Sequence, residues 1–316
     1  MSGPLRKTLG IDIGGTNVRV AVVDDDGQAH ELTESAWSGD EPADCVSVVA
    51  SLATPLIERE GATAAGCGCA GLVDHVRGVV TSSPNLPSWH DVPLAAKIKD
   101  ALGVPTIVEN DANAAAYGEF AVGAARGAHN AIMLTIGTGL GAGFILDGRL
   151  YRGSHGVAAE YGHTTVDIGG IPCACGGRGC LEGLVSAGAM VERARRLLSG
   201  GGESVLRKMG DALSAVDVGR AAEAGDAVGT AAVAETGRYL GVGLANLVRT
   251  LDPDVIVIGG GVAGAGGALM DPAREELERR LSGCPSPMPR LVFAKLGNAA
   301  GVVGAALLAR ASHGGA

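Results

Sequence analysis

GIDIGGTNVR, residues 10–19, runs an apolar strand into a double glycine and out again into a second apolar run, Val18–Val23. Glycine has no Cβ, so backbone can approach a ligand closely, and successive N–H groups in such a turn form a concavity that holds anions. The pattern returns in MLTIGTGLGAG at 133–143 and in VIVIGGGVAGAG at 255–266. Apolar β-rich runs alternate with helical spacing between these turns, which is the signature of an α/β protein. Three strand-to-glycine turns point to one polyphosphate held from several sides.

Leu9–Ile13 and Val18–Val23 read as a hairpin, with further strands at 66–70, 106–109, 131–136, 255–258 and 291–296. Helical spacing covers 43–60, 95–102, 111–122, 184–198, 217–224, 226–251 and 300–310. Asp271-Pro272 offers an N-cap and a first-turn proline for one more helix, and SGGGES at 199–204 reads as a flexible connection. Residues 147–182 carry turn residues and cysteines with little periodicity, as a long functional loop would.

The glycines at 259, 261 and 264 also fit the dinucleotide fingerprint. That fingerprint expects an acidic residue at the end of the following strand, whereas LVFAKLG is expected to end in Lys295. A nicotinamide dehydrogenase is thus disfavoured. The first turn instead supplies a carboxylate, close backbone donors and a hydroxyl in Asp12, Gly14, Gly15 and Thr16, the parts that a nucleotide-phosphate and Mg²⁺ site needs. Asp12 could also be an ordinary hairpin residue. In VENDANAAAYGE, Glu109, Asn110 and Asp111 stand at a strand end, where α/β folds expose ligand-binding groups. A carboxylate there can accept a proton from an attacking hydroxyl. Asp111 could alternatively cap a helix beginning at Ala112, and donors from that helix would lower its basicity.

CACGGRGCLE at 173–182 completes H-x9-C-x-C-x4-C with His163, Cys173, Cys175 and Cys180, the ligand set of a closed structural zinc site. C-x-x-C redox spacing is absent, and Cys67 and Cys69 read as buried small residues in a strand. Glu160 precedes the histidine by three residues and Glu182 follows the last cysteine by two. Closing the metal site would fix both carboxylates, an arrangement suited to gripping several hydroxyls of a polyol or sugar.

The composition agrees. The 316 residues, 47% hydrophobic and 19% charged, are enough for one or two domains, and with 3% aromatics and 52 glycines the core must be aliphatic. A net charge of −9 argues against a nucleic-acid footprint, which needs a basic patch or stripe. No apolar signal region precedes the first glycines, and the most apolar stretches are glycine-broken and shorter than the ~20 residues of a membrane span, so a cytoplasmic protein is expected. Seven cysteines, an odd number in so long a chain, are not a disulfide framework.

These motifs carry a resemblance. CACGGRGCLE resembles the C-x-C-G-x-x-G-C-x-E signature of the ROK family (repressors, open reading frames and kinases), GIDIGGTNVR resembles its ATP phosphate motif, and EYGH at 160–163 its E-x-G-H sugar motif. The resemblance implies the two-domain actin-like ATPase and sugar-kinase fold, ribonuclease H-like, with an interdomain cleft. A small α/β domain would span 1–120 plus the C-terminal helix at about 300–316, and a large one 121–299, with the zinc loop. The activity implied is ATP-dependent phosphorylation of glucose with Mg²⁺, by a homodimer or homotetramer. By motif, Asp111 would be the general base. Gly71, Asn85, Asn110, Glu160, His163 and Glu182 would bind the sugar. Gly14, Gly15, Thr16, Thr138, Gly139, Gly260 and Gly261 would face ATP. His163 would use one ring nitrogen on zinc and the other towards the sugar. The family's DNA-binding repressors carry an N-terminal helix-turn-helix, for which there is no room before Gly10. Other hexoses and N-acetylhexosamines, or a zinc-stabilised sugar sensor without turnover, are the alternatives. GCAGLVD at 68–74 departs from the proline-glycine pair of many relatives, which bears on sugar preference.

Overall fold

A computed structural model describes residues 7–201, 203–284 and 287–313. The N-terminal MSGPLR, Gly202 of SGGGES and the last three residues of the 300–316 segment lie outside the described residues. In chain order the elements are β1 (Thr8–Ile13), β2 (Asn17–Val23), β3 (Ala29–Ala36), α1 (Pro42–Glu60), β4 (Ala65–Cys69), β5 (Leu72–Asp74), β6 (Val79–Ser82) and β7 (His90–Val92). Next come α2 (Leu94–Leu102), β8 (Thr106–Asn110), α3 (Asp111–Ala121), β9 (Ala131–Ile136), β10 (Leu140–Leu146), β11 (Arg149–Tyr151), α4 (Glu182–Val185) and α5 (Ala187–Ser199). The chain closes with α6 (Ala215–Glu223), α7 (Ala227–Leu251), β12 (Val255–Gly259), α8 (Gly267–Leu281), β13 (Arg290–Phe293) and α9 (Ala300–His313).

By internal contacts the chain divides into two compact units. The first gathers residues up to Met133, Gly143–Ala159 and the chain from Ala294 on; the second comprises Leu134–Ala142 and Glu160–Phe293. Residues 121–133, 143–159 and 294–299, expected from the sequence in the second, large domain, fall in the first of these units, which is the larger of the two.

The first sheet has the order β3-β2-β1-β4-β8. β1 and β2 form the expected antiparallel hairpin, while β1, β4 and β8 run parallel, with Ile13 level with Cys69 and Cys69 level with Asn110. Parallel neighbours need long crossovers, which α1 and α2 provide. α1 begins with Pro42 in its first turn and ends at left-handed Gly61, whose N–H donates to the Ile57 carbonyl. Its buried residues Cys45, Val49, Ala53 and Leu56 recur at helical spacing and pack with Leu9, Ile11, Val20 and Trp89 into an aliphatic core. α9 lies so close that a Cβ on Gly66 of β4 would overlap the Ala305 carbonyl, and one on Gly304 would overlap the Ala114 carbonyl of α3. A second sheet runs β11-β10-β9-β12-β13, and a small one β5-β6-β7.

Four sequence expectations are corrected. Asp271-Pro272 does not open a helix: α8 starts at Gly267 and Pro272 lies inside it, because burying Leu269 and Met270 draws the preceding turn into helical form. The 184–198 helix is two, since extended Ser186 ends α4 and caps α5 by accepting from the Ala189 N–H. β13 stops at Phe293, so Lys295 lies beyond the strand rather than at its end. Leu140–Gly143, the end of the glycine-turn stretch 133–143, belongs instead to strand β10. Among the described residues no helix is long and apolar enough to cross a membrane.

Candidate functional site

In the first unit the level carboxyl ends of β1, β4 and β8 set the site residues side by side, at the edge where parallel sheets bind ligands. Asp12 lies near the end of β1, opposite Gly68 of β4, and Asp111 follows directly on β8. Gly68 separates the two acids: a Cβ there would lie 3.5 Å from the Asp111 Cα and 3.8 Å from Asp12 Oδ1.

Asn110 is the N-cap of α3, its Oδ1 accepting from the Asn113 N–H at 3.0 Å. Asp111 is therefore the first helical residue and not the cap, which corrects the capping alternative. Burial raises the Asp111 carboxyl above the ordinary carboxylate range, while the N–H groups of Ala112 and Asp111 and the Asn110 side chain pull it partly back. The Asp12 carboxyl is raised to about 6, first by burial and then by the charge of Asp111; Arg19, 3.4 Å away on β2, opposes this.

The first glycine turn is braced from outside. The Gly14 N–H donates to the Asn17 carbonyl, the Trp37 N–H to the Thr16 carbonyl, and the Trp37 indole to the Gly14 carbonyl at 3.1 Å. Gly15 faces Asn85, where a Cβ would meet the Asn85 Cβ at 3.3 Å. Asn110 Nδ2 donates to the Gly71 carbonyl at 3.0 Å. Asp12, Gly14, Gly15, Thr16, Gly68, Gly71, Asn85, Asn110 and Asp111 are thus brought into one neighbourhood by this unit.

In the second unit the other two glycine turns meet. Gly260, at φ +83°, packs against Ile136 so tightly that a Cβ would overlap its backbone, and Gly261 borders open space. The turn carrying Thr138 and Gly139 is closed by the Gly137 N–H donating to the Gly139 carbonyl. Glu182 braces it, its Oε2 accepting from the Leu140 N–H at 2.8 Å.

The cysteine loop is also in this unit. One donor atom from each of His163, Cys173, Cys175 and Cys180 lies within 4.8 Å of the others, so the four residues could hold a metal ion. His163 Nδ1 stands 3.6 Å from Cys173 Sγ, and Cys175 Sγ 3.6 Å from Cys180 Sγ. The Gly177 N–H at Cys175 lowers that thiol from its ordinary range, towards the thiolate that a metal binds. Nε2, the other ring nitrogen of His163, lies 3.9 Å from a carboxylate oxygen of Glu160. Backbone pairing of Leu181 with Thr164, and of Val166 with Gly179, ties the two ends of the loop together. Cys67 and Cys69 are fully buried in β4, and burial pushes both thiols well up, consistent with packing roles.

Sequence reasoning missed the supporting residues. Arg152 donates from Nε to buried Glu109 at 2.7 Å, and Asn113 Nδ2 donates to the other oxygen of the same carboxylate at 3.0 Å. Nothing in YRGSHG marks Arg152, although a lone glutamate in the apolar TIVEN strand could have signalled a buried partner. Trp37 and Tyr161 are likewise silent in sequence; the Tyr161 hydroxyl donates to the Gly243 carbonyl at 2.6 Å.

Comparison with known proteins agrees with this arrangement. Residues 8–312 match the family model described as ROK family. A glucokinase of Streptomyces coelicolor is 38% identical over 310 residues, spanning 96% of this chain and 97% of that protein. A ROK family glucokinase from Streptomyces griseus, solved in complex with glucose and AMPPNP, shares a TM-score of 0.85 at 38% identity over 96% of this chain and 99% of its own. A ROK hexokinase from Thermus thermophilus gives 0.81 at 35% identity, covering 97% and 98% of the two chains. The α/β architecture is that of the actin-like ATPases and sugar kinases.

Proposed function

As the chain belongs to the ROK family, we propose that it is an ATP-dependent glucose kinase that converts glucose and ATP to glucose 6-phosphate and ADP. The observation that carries the reading is the half-buried Asp111 carboxyl at the carboxyl end of β8, held above its ordinary pKa in a chain so similar to glucokinases.

Asp111 takes the proton of the sugar 6-hydroxyl as that oxygen attacks the γ-phosphorus, and the bond to the leaving ADP oxygen breaks. A base with a raised pKa is the stronger acceptor, and one seated on a strand end at the start of a helix keeps its aim. Asn85, Asn110 and the Gly71 backbone are the first unit's groups for sugar hydroxyls, and Glu160, His163 and Glu182 are those of the second. The N–H groups at Gly14, Gly15, Thr138, Gly139, Gly260 and Gly261, with the Thr16 hydroxyl, hold phosphates. The half-buried carboxylate oxygens of Asp12 fit a hard divalent cation, so Asp12 would help hold Mg²⁺ brought with ATP, which would supply charge neutralisation at the phosphates.

His163, Cys173, Cys175 and Cys180 are assigned to a structural Zn²⁺. A tetrahedral zinc with ordinary bond lengths sets S···S near about 3.8 Å and S···N near about 3.5 Å. The separations of 3.6 Å in both cases support that ion. If Nδ1 held the metal, Nε2, on the Glu160 side, would remain for the sugar. The first unit is read as the domain that carries the phosphate turn at 14–16 and Asp111, and the second as the domain that carries the cysteine loop. A cytoplasmic homodimer or homotetramer is the form we assign.

The test is ADP release by the purified protein with Mg-ATP across free hexoses and N-acetylhexosamines. Fastest turnover on glucose is expected. Turnover fastest on another hexose would reassign the substrate, and sugar binding without ADP release would make the protein a sensor.

A further inference from the structure

Resting on the reading of Asp111 as the base, we infer that Arg152 is a positioning residue for the Asn110–Asp111 pair, acting through the buried carboxylate of Glu109. Glu109 is 3% exposed and immediately precedes the pair on β8. Its Oε1 accepts from the Asn110 N–H and from Asn113 Nδ2, both at 3.0 Å, and its Oε2 accepts from Arg152 Nε at 2.7 Å. One carboxylate therefore divides its oxygens between the strand end and first turn of α3 and a single guanidinium. Asn110 spends its own side chain on the same geometry, capping Asn113 with Oδ1 and holding the Gly71 carbonyl with Nδ2. A rotation of Glu109 would pull on the backbone that aims Asp111.

A buried carboxylate keeps its place only while its charge is matched. Among the described residues Arg152 is the one ionic partner of Glu109. The backbone that carries the guanidinium is itself held in place: the Arg152 carbonyl accepts from the Ala158 N–H at 3.2 Å, and left-handed turns at Gly153 and Ala159 fold residues 152–159 back on themselves. Neither partner is needed to touch sugar or nucleotide. The pair's effect is on orientation, so it belongs in the rate of the chemical step more than in ATP binding.

The test uses the full chain with Mg-ATP and glucose, measuring kcat, both KM values and melting temperature for Arg152→Met, Arg152→Lys and the double variant Arg152→Met/Glu109→Gln. Arg152→Met is expected to lower kcat about 10- to 100-fold, the scale of a small misplacement of reacting groups, with the ATP KM unchanged. Arg152→Lys should recover part of the loss, keeping the charge but not the planar Nε–H. The double variant should recover more than Arg152→Met alone, because the unmatched charge is gone. A merely structural pair would lower the melting temperature and leave kcat intact below it, which would overturn the inference. If Arg152→Met does not fold, Arg152→Lys decides: reduced kcat at unchanged ATP KM supports the role, and wild-type kcat removes it. Asp111→Asn is run alongside. Full turnover in that variant would sink the base assignment and this inference together; loss of turnover there with normal Arg152 variants would sink this inference alone.

Discussion

Asp12→Asn is expected to make the ligand-free protein more stable while abolishing its turnover. The carboxyl of Asp12 is raised from 3.8 to about 6 by burial and by the charge of Asp111, and Arg19 only partly offsets this. A carboxyl whose folded pKa exceeds its unfolded one binds its proton more tightly in the native state. Stability from that proton is complete below the unfolded pKa and is lost as pH rises through the folded pKa. The interval from 3.8 to about 6, at about 1.36 kcal/mol per pH unit, comes to about 3 kcal/mol. The amide of Asn has no such dependence and nearly the same shape. The variant's advantage should thus grow from close to nothing at about pH 4 to about 3 kcal/mol at about pH 8. Urea unfolding at several pH values measures it. Both tryptophans of the chain, Trp37 and Trp89, are buried in the core of the first unit with ring centroids 6.4 Å apart, so their fluorescence reports the unit that contains Asp12. A variant less stable at high pH, or a difference that ignores pH, would refute the description of Asp12 as a half-buried acid that Arg19 only partly offsets.

Two further perturbations probe other parts of the structure. Gly304→Ala should destabilise the first unit by about 1–3 kcal/mol or more, the range for overpacking, because the new Cβ would overlap the Ala114 carbonyl; an unchanged urea midpoint would contradict the α3–α9 contact. Cys175→Ser should lose bound metal and weaken glucose binding, measured by elemental analysis and calorimetry. Metal loss with unchanged glucose affinity would show that the cysteine loop does not hold the sugar-binding groups.

The long, strongly patterned elements were legible in sequence because burial imposes their pattern: α1 repeats its buried residues at helical spacing, and β12 is a continuous buried apolar run. β3 was not, since AHELTESA is exposed and charged and owes its strand form to pairing with β2. Likewise the three-residue strands β5 and β7 are fixed only by β6. The glycine turns, the acids and the cysteine set could be read because each needs particular residue types at short spacing. Arg152 could not, because it meets Glu109 from 43 positions away, through a contact that leaves no local pattern. The distinction between Asn110 and Asp111 as the cap of α3 was also out of reach, since both residue types cap well and only the backbone shows which one is extended.

Single-turnover formation of glucose 6-phosphate in Asp111→Asn against the wild type, with glucose affinity measured on the same samples, decides whether Asp111 is the base. Loss of a general base should slow the step by about 10²–10⁴-fold while glucose still binds. A rate close to wild type would remove Asp111 as the base and with it the proposed route of phosphoryl transfer.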